Sequence, residues 1–271
     1  MKPPLFRCKE YPLRRGQRQI SEKMLKLQPE TIKKTDMPSA DRPLILGARM
    51  KAAELLGADF YLLGVFSRLG IRLGFGEATV GELCEGNGID TSTFLTLCRI
   101  HLVRDYIPSE EEIAKLDMGV CLKYLKQSHS YYRTIGLTAL GKAMSNLLAP
   151  CGEKQKKVIR RFYDEYHAEL EKHFAFEEEH IFPYAEAIAS GKEPLGNFEK
   201  EFEEDHSNIG EKIGDLKNIV MKYLPAECGD QEIQQVLLLL CFLENDLERH
   251  TAIEERVLVP RISRGDTGNG E

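Results

Sequence analysis

His173-Phe-Ala-Phe-Glu177-Glu178, with Pro183 five residues on, recurs later in the chain as His250-Thr-Ala-Ile-Glu254-Glu255 with Pro260. The two copies agree at His, Ala, Glu, Glu and Pro, in the same order and spacing. Each places a His and a Glu four residues apart, so both side chains leave one face of a helix about one turn apart. A single His-x-x-x-Glu would carry little weight, because polar pairs at this spacing are common on solvated helices. A further histidine before each copy changes that. His129 lies 44 residues before His173, and His206 lies 44 before His250.

The spacing has a geometric meaning. The midpoint of His129 and His173 is residue 151, within the turn signal Ala149-Pro150-Cys151-Gly152. The midpoint of His206 and His250 is residue 228, within Pro225-Ala-Glu-Cys228-Gly229. Between His173 and His206 the midpoint falls beside Ser190-Gly191-Lys192-Glu193-Pro194. In an up-down bundle, residues equidistant from a turn stand at the same height. The four histidines therefore arrive at one level, one per helix, with Glu177 and Glu254 a turn away. That arrangement describes a metal cage.

Four long helical segments carry it, over about 117–147, 154–188, 196–223 and 230–262, and their short joints mark antiparallel neighbours. The expected fold is all-α, an antiparallel up-down four-helix bundle over 117–262 preceded by a small helical domain over 43–106. In the latter, Arg49–Leu56 and Phe60–Leu69 read as helices, and Gly70–Gly76 as a glycine-rich break. Thr79 caps a short helix with Glu82 as capping-box partner, and Thr91–His101 is a further helix. Tyr106–Glu112 reads as a polar linker. Residues 1–42 read as a basic, disordered extension and 263–271 as a frayed tail.

The net charge of −6 is unevenly spread. Residues 1–36 carry ten Lys/Arg against four Asp/Glu, which makes that segment +6 and the remainder −12. A basic arm can bind nucleic acid. The last helix of the small domain, however, offers only Arg99, His101 and Arg104 to a base or phosphate, and the sequence argues against DNA reading. No apolar run approaches the roughly 20 residues of a membrane span. Seven scattered cysteines without a Cys-x-x-Cys, and a start without a signal-peptide core, point to the cytoplasm.

Four imidazoles and two carboxylates suit a pair of borderline ions. Iron fits first and manganese second, whereas zinc prefers a closed tetrahedral set, often with thiolates. The other histidines read differently. His180 shares the ligand face but has Val257 at the matching place of the second copy, so it reads either as a support behind a ligand or as peripheral. His167 points elsewhere, and His101 lies outside the bundle. Glu169 and Asp246 each precede a motif His by four, either to hydrogen-bond a ligand or to sit in solvent. Tyr166 reads as core.

The doubled His-x-x-x-Glu with a preceding His resembles hemerythrin-like (HHE) domains over roughly 117–262. Oxygen-carrying members use a fifth His where this chain has Gly210, which argues against a simple carrier. Four His and two Glu are instead similar to the RIC proteins, which repair iron–sulfur centres after nitrosative or oxidative stress. Val65–Ile71, Val80–Cys84 and Gly88–Asp90 are similar to that family's N-terminal domain, although Leu73-Gly74-Phe75-Gly76 stands where it usually carries a Cys-Cys pair. The resemblance implies two iron ions with an oxo or hydroxo bridge. His129, His173, His206 and His250 would be terminal ligands, and Glu177 and Glu254 would bridge. It implies oxygen or nitric oxide as small ligands and iron–sulfur proteins as clients, with a homodimer left open. A sensor of oxygen or nitric oxide, signalling through the N-terminal domain, is the alternative reading.

Overall fold

The computed structural model describes residues 46–192 and 206–267, together with the backbone course of the helices at their edges. The basic segment at the N-terminus lies outside these residues, as does the joint over 193–205. Among the described residues the structure is helical, with one isolated bridge between Lys51 and Thr79.

Among the described residues four short helices come first: α1 Ala52–Ala58, α2 Leu62–Leu69, α3 Val80–Gly86 and α4 Thr91–Leu102. Their ends follow from local chemistry. Gly70 terminates α2 in the left-handed conformation at φ 85°, which a residue without Cβ adopts at little cost. Thr79 and Glu82 form the expected capping box of α3, and Asp90 caps α4. The linker expected at Tyr106–Glu112 is partly helical. Ser109 and Glu112 make a second capping box that opens α5, Glu110–Lys115.

The bundle follows. Its first rod joins α6 Met118–Tyr131 to α7 Leu137–Leu148, and its second joins α8 Glu153–Phe176 to α9 Phe182–Ala189. The third rod is α10, His206–Lys222. The fourth joins α11 Asp230–Ile253 to α12 Val259–Thr267, so helix continues into the segment read as a tail. Three rods contain a π-turn, at Tyr132–Gly136, Glu177–Ile181 and Glu254–Leu258. In each the ladder slips to i→i−5, as in Phe182 N–H to the Glu177 carbonyl and Val259 N–H to that of Glu254. The slip accounts for the repeated prolines. Pro183 and Pro260 each follow a π-turn, where the wider turn relieves the clash a proline ring makes with the carbonyl four residues back.

Two apolar clusters fill the interior. The lower one packs α1–α4 (Leu55, Leu62, Phe66, Leu69, Phe94, Leu97) against Met118–Leu125, Ile181–Ala185 and Ile253–Ile262. It runs without a break from the N-terminal helices into the bundle. The upper one joins Tyr132–Leu148, Ile159–Phe174, Ile209–Val220 and Val236–Leu247. Each large aliphatic or aromatic side chain removed from water here contributes about 1.5–3 kcal/mol. Between the clusters, the rods contribute no buried apolar residue over 126–131, 175–180 and 248–252. That gap is a polar layer across the bundle, and the doubled motif falls in and around it.

Candidate metal centre

Each ligand candidate is placed by its position on a rod. His129 sits in the last turn of α6, three residues before a π-turn. His173 is in the last turn of α8 and Glu177 opens the π-turn after it; His250 and Glu254 repeat this on α11. π-turns of this kind accompany functional sites because they change which face the following residues present. All five side chains are buried, Glu177 at 1% and Glu254 at 0% exposure.

One ligand atom each from His129, Glu177, His250 and Glu254 falls within 4.8 Å of the other three. The Nε2 atoms of His129 and His250 stand 3.3 Å apart. His129 Nε2 lies 3.0 Å from Glu177 Oε2, and His250 Nε2 lies 2.8 Å from Glu254 Oε1. His173 lies outside this group of four but beside it, with Nε2 3.2 Å from Glu177 Oε1. The backbone of His206 opens α10; its side chain lies outside the described residues. The structure thus brings together four of the six sequence candidates and sets a fifth against them.

The surroundings differ on the two sides. His129 Nδ1 is 2.9 Å from Glu178 Oε1, and Glu178 accepts from Arg133 Nη1 at 2.6 Å. Arg133 also donates through Nε to Glu171 at 2.8 Å. Burial raises the Glu178 carboxyl, but the hydrogen bonds from Arg133 and His129 outweigh it and hold the group below its ordinary range. With Nδ1 committed to Glu178, His129 presents Nε2 inward. Phe174 stacks on the His129 ring at 4.2 Å between centroids and limits its rotation. Sequence reasoning missed both Glu178 and Arg133. The doubled Glu-Glu of the motif was the available signal for the first, and nothing marked the second.

Behind His250 lies Asp246, buried and ion-paired to Arg68 of α2, with Nη1 3.1 Å from Oδ1. Arg68 also donates to Tyr124 Oη at 2.9 Å, and Tyr124 Oη meets His101 Nε2 at 2.9 Å. Burial and then the Arg68 charge act on Tyr124 in opposite senses, and burial prevails, pushing its phenol to about 12. Tyr132 sits edge-on to His250 at 5.7 Å and stacked on Phe174 at 5.5 Å. Asp246 is thus neither in solvent nor hydrogen-bonded to a ligand candidate; its partner is Arg68. His101 belongs to α4, yet it is buried against Tyr124 of α6 rather than set apart from the bundle. Arg99 pairs with Glu112, and Arg104 with Glu248, so all three residues weighed for DNA contact have partners within this chain.

The remaining candidates fall where their spacing put them. His180 is exposed beside Phe176, and His167 is half-exposed with Glu171 at 4.0 Å. Glu169 meets Lys212 at 3.0 Å on a partly solvated face, and Tyr166 is core. A cavity of about 300 Å³ opens on the layer between α10 and α11, lined by His173, His250, Ile209, Gly210, Ile213 and Leu247 among others. A Cβ at Gly210 would meet nothing within 4 Å.

The donor set fits a cation. Two buried carboxylates this close repel one another, and a positive ion between them offsets that repulsion and the loss of hydration. The observed separations of 2.8–3.3 Å match ligand-to-ligand edges of a site with bonds of about 2.1 Å, which are roughly 3.0 Å in an octahedron. Imidazole with carboxylate, and no thiolate in the group, favours iron or manganese over structural zinc. Residues 122–262 match the family described as Hemerythrin HHE cation binding domain. No curated protein and no solved structure matches the chain.

Proposed function

We propose, given that this chain belongs to the hemerythrin HHE cation-binding domain family, that it holds a pair of iron ions and serves the repair or iron supply of iron–sulfur proteins under nitrosative or oxidative stress. The observation that carries the reading is the buried polar layer itself, in which His129, Glu177, His250 and Glu254 converge between two apolar clusters. His129, His173, His206 and His250, one from each rod, would hold the ions together with Glu177 and Glu254. Iron bound there would supply redox chemistry toward oxygen or nitric oxide, and would itself be the cargo if handed on. Glu178 holds His129 in one tautomer and orientation. The Gly210 cavity admits small ligands from the α10–α11 side. The loop at Leu73–Gly76, with Gly74 at φ 89° and Gly76 at φ 59°, offers no thiol pair, so cargo transfer would not pass through cysteines there.

A second reading is supported by one contact. The Arg68–Asp246 pair links α2 to the turn before His250, which is what a sensor relaying the state of the centre to its N-terminal helices requires.

Two measurements test these readings. Protein from iron-replete cells should hold about two irons per chain. Glu177→Ala and Glu254→Ala should each lose most of the metal, while His180→Ala and His167→Ala keep it. One ion per chain, or equal losses in all four variants, would overturn the dinuclear assignment. Cells lacking the protein should regain aconitase activity slowly after nitric oxide, and the intact gene, but not a His173→Ala/His250→Ala form, should restore the rate. Normal recovery in the deletion strain, with tight nitric oxide binding in vitro, would exchange repair for sensing.

A further inference from the structure

The two turns that set the heights of the histidines also carry two cysteines. Cys151 and Cys228 are 77 residues apart, the interval that separates His129 from His206 and His173 from His250. Each stands just before the glycine that opens the next helix, Gly152 for α8 and Gly229 for α11. Both turns are fixed by backbone bonds, Cys151 N–H to the Leu148 carbonyl at 3.0 Å and Cys228 N–H to that of Pro225 at 3.1 Å. Both thiols are buried at the far end of the upper apolar cluster, and their sulfurs are 2.9 Å apart. That is only about 0.9 Å more than a disulfide bond.

We propose that Cys151 and Cys228 form a reversible intramolecular disulfide when the protein meets a peroxide. The chemistry closes without further partners. With peroxide, the Cys151 thiolate attacks one oxygen, the O–O bond breaks, hydroxide leaves, and Cys151 becomes a sulfenic acid. The Cys228 sulfur then attacks the Cys151 sulfur, the S–OH bond breaks, and the oxygen leaves as water with the Cys228 proton. The peroxide takes up the two electrons. Burial first, and then the adjoining Cys151 sulfur, raise the Cys228 thiol to about 12. Neither turn has to refold, because the sulfurs already face each other.

The bond would tie the α7–α8 turn to the α10–α11 turn. Each of those helical hairpins carries half of the ligand candidates, so the cross-link joins the two halves at the end away from the polar layer. The inference stands on the sulfur geometry and not on the metal reading.

The reduced full-length protein, treated with hydrogen peroxide and then blocked with N-ethylmaleimide, tests this by non-reducing peptide mapping. The expected product is a Cys151–Cys228 linked peptide pair, about 2 Da below the sum of the reduced peptides and restored by dithiothreitol. The thermal midpoint should rise by the order of 10 °C on oxidation, as expected for closing a loop of this length. Cys228→Ser and Cys151→Ser should each abolish the linked pair, and Cys241→Ser, at an exposed thiol, should leave it intact. Recovery of both cysteines as maleimide adducts while Cys241 has reacted would overturn the proposal. So would Cys151 driven to the sulfinic acid with Cys228 present, or links scrambled to Cys241. If a serine variant fails to fold, the mass shift of the unaltered chain still decides.

Discussion

The two copies of the motif, nearly interchangeable as sequence, differ in what stands behind them. The position four before the histidine is Glu169 in the first copy and Asp246 in the second. Glu169 meets Lys212 on a partly solvated face, whereas Asp246 is sealed from water and held by Arg68, 178 residues away in the chain. The residue after the glutamate differs too. Glu178 is half-buried and holds His129 together with Arg133, while Glu255 is exposed at the edge of the Gly210 cavity. One side of the centre is therefore braced by its own rods at the solvent boundary. The other is braced by a helix that belongs to the N-terminal segment. A repeated motif specifies the groups that converge, and its neighbours decide how firmly each is held and by what.

The largest expected difference lies in the two acidic partners. Arg68→Ala leaves the Asp246 carboxylate buried without its cation and should destabilise the protein by about 3–5 kcal/mol. Lys212→Ala removes a partly exposed pair and should cost within about 1 kcal/mol. Denaturant titration of both variants measures the gap, and equal effects would erase the contrast. A middle-sized effect is expected where the copies diverge after the glutamate. Glu178→Gln should weaken metal retention about 10–100-fold against a competing chelator, with Glu255→Gln close to the unaltered protein. Similar losses in both would mean that the His129 contact does not orient the ring.

The smallest effect is a pH dependence confined to the second side. Burial first, then the charges of Arg68, Arg249 and His250, hold the His101 imidazole well below its ordinary range. The folded state therefore binds fewer protons at this residue than the unfolded chain does. Its contribution to stability is complete above the unfolded value of about 6.5 and declines as pH falls below that. Unfolding free energies at pH 7.5 and pH 5.5 should converge more closely in His101→Gln than in the unaltered chain. An unchanged difference would place the pH sensitivity elsewhere.

Much of this was legible in the order of residues. The 44-residue spacing and the turn signals at residues 151 and 228 set out the rods and the common level of His129, His173 and His250, and helical periodicity put Glu177 and Glu254 on the same face. The repeated prolines were visible, but the π-turns they follow were not. Periodicity assumes one register, and a slip to i→i−5 becomes favourable only when packing on both sides sustains it. The motif contains Glu178 but assigns it no role, because its partners His129 and Arg133 sit on another rod.

What the chain's own spacing sets is local: the helical runs, the turns at residues 151 and 228, and the height and face of His129, His173, His250, Glu177 and Glu254. Those follow from backbone geometry repeated residue by residue. Packing of the helices was needed to establish that Arg68 neutralises Asp246, that His101 is sealed against Tyr124, and that the sulfurs of Cys151 and Cys228 meet. Each is a pairing of groups on different helices or turns, from 23 to 178 residues apart. Which groups meet at such separations depends on how whole apolar faces dock; the shared 77-residue interval sets Cys151 and Cys228 at one level but does not by itself make their sulfurs meet.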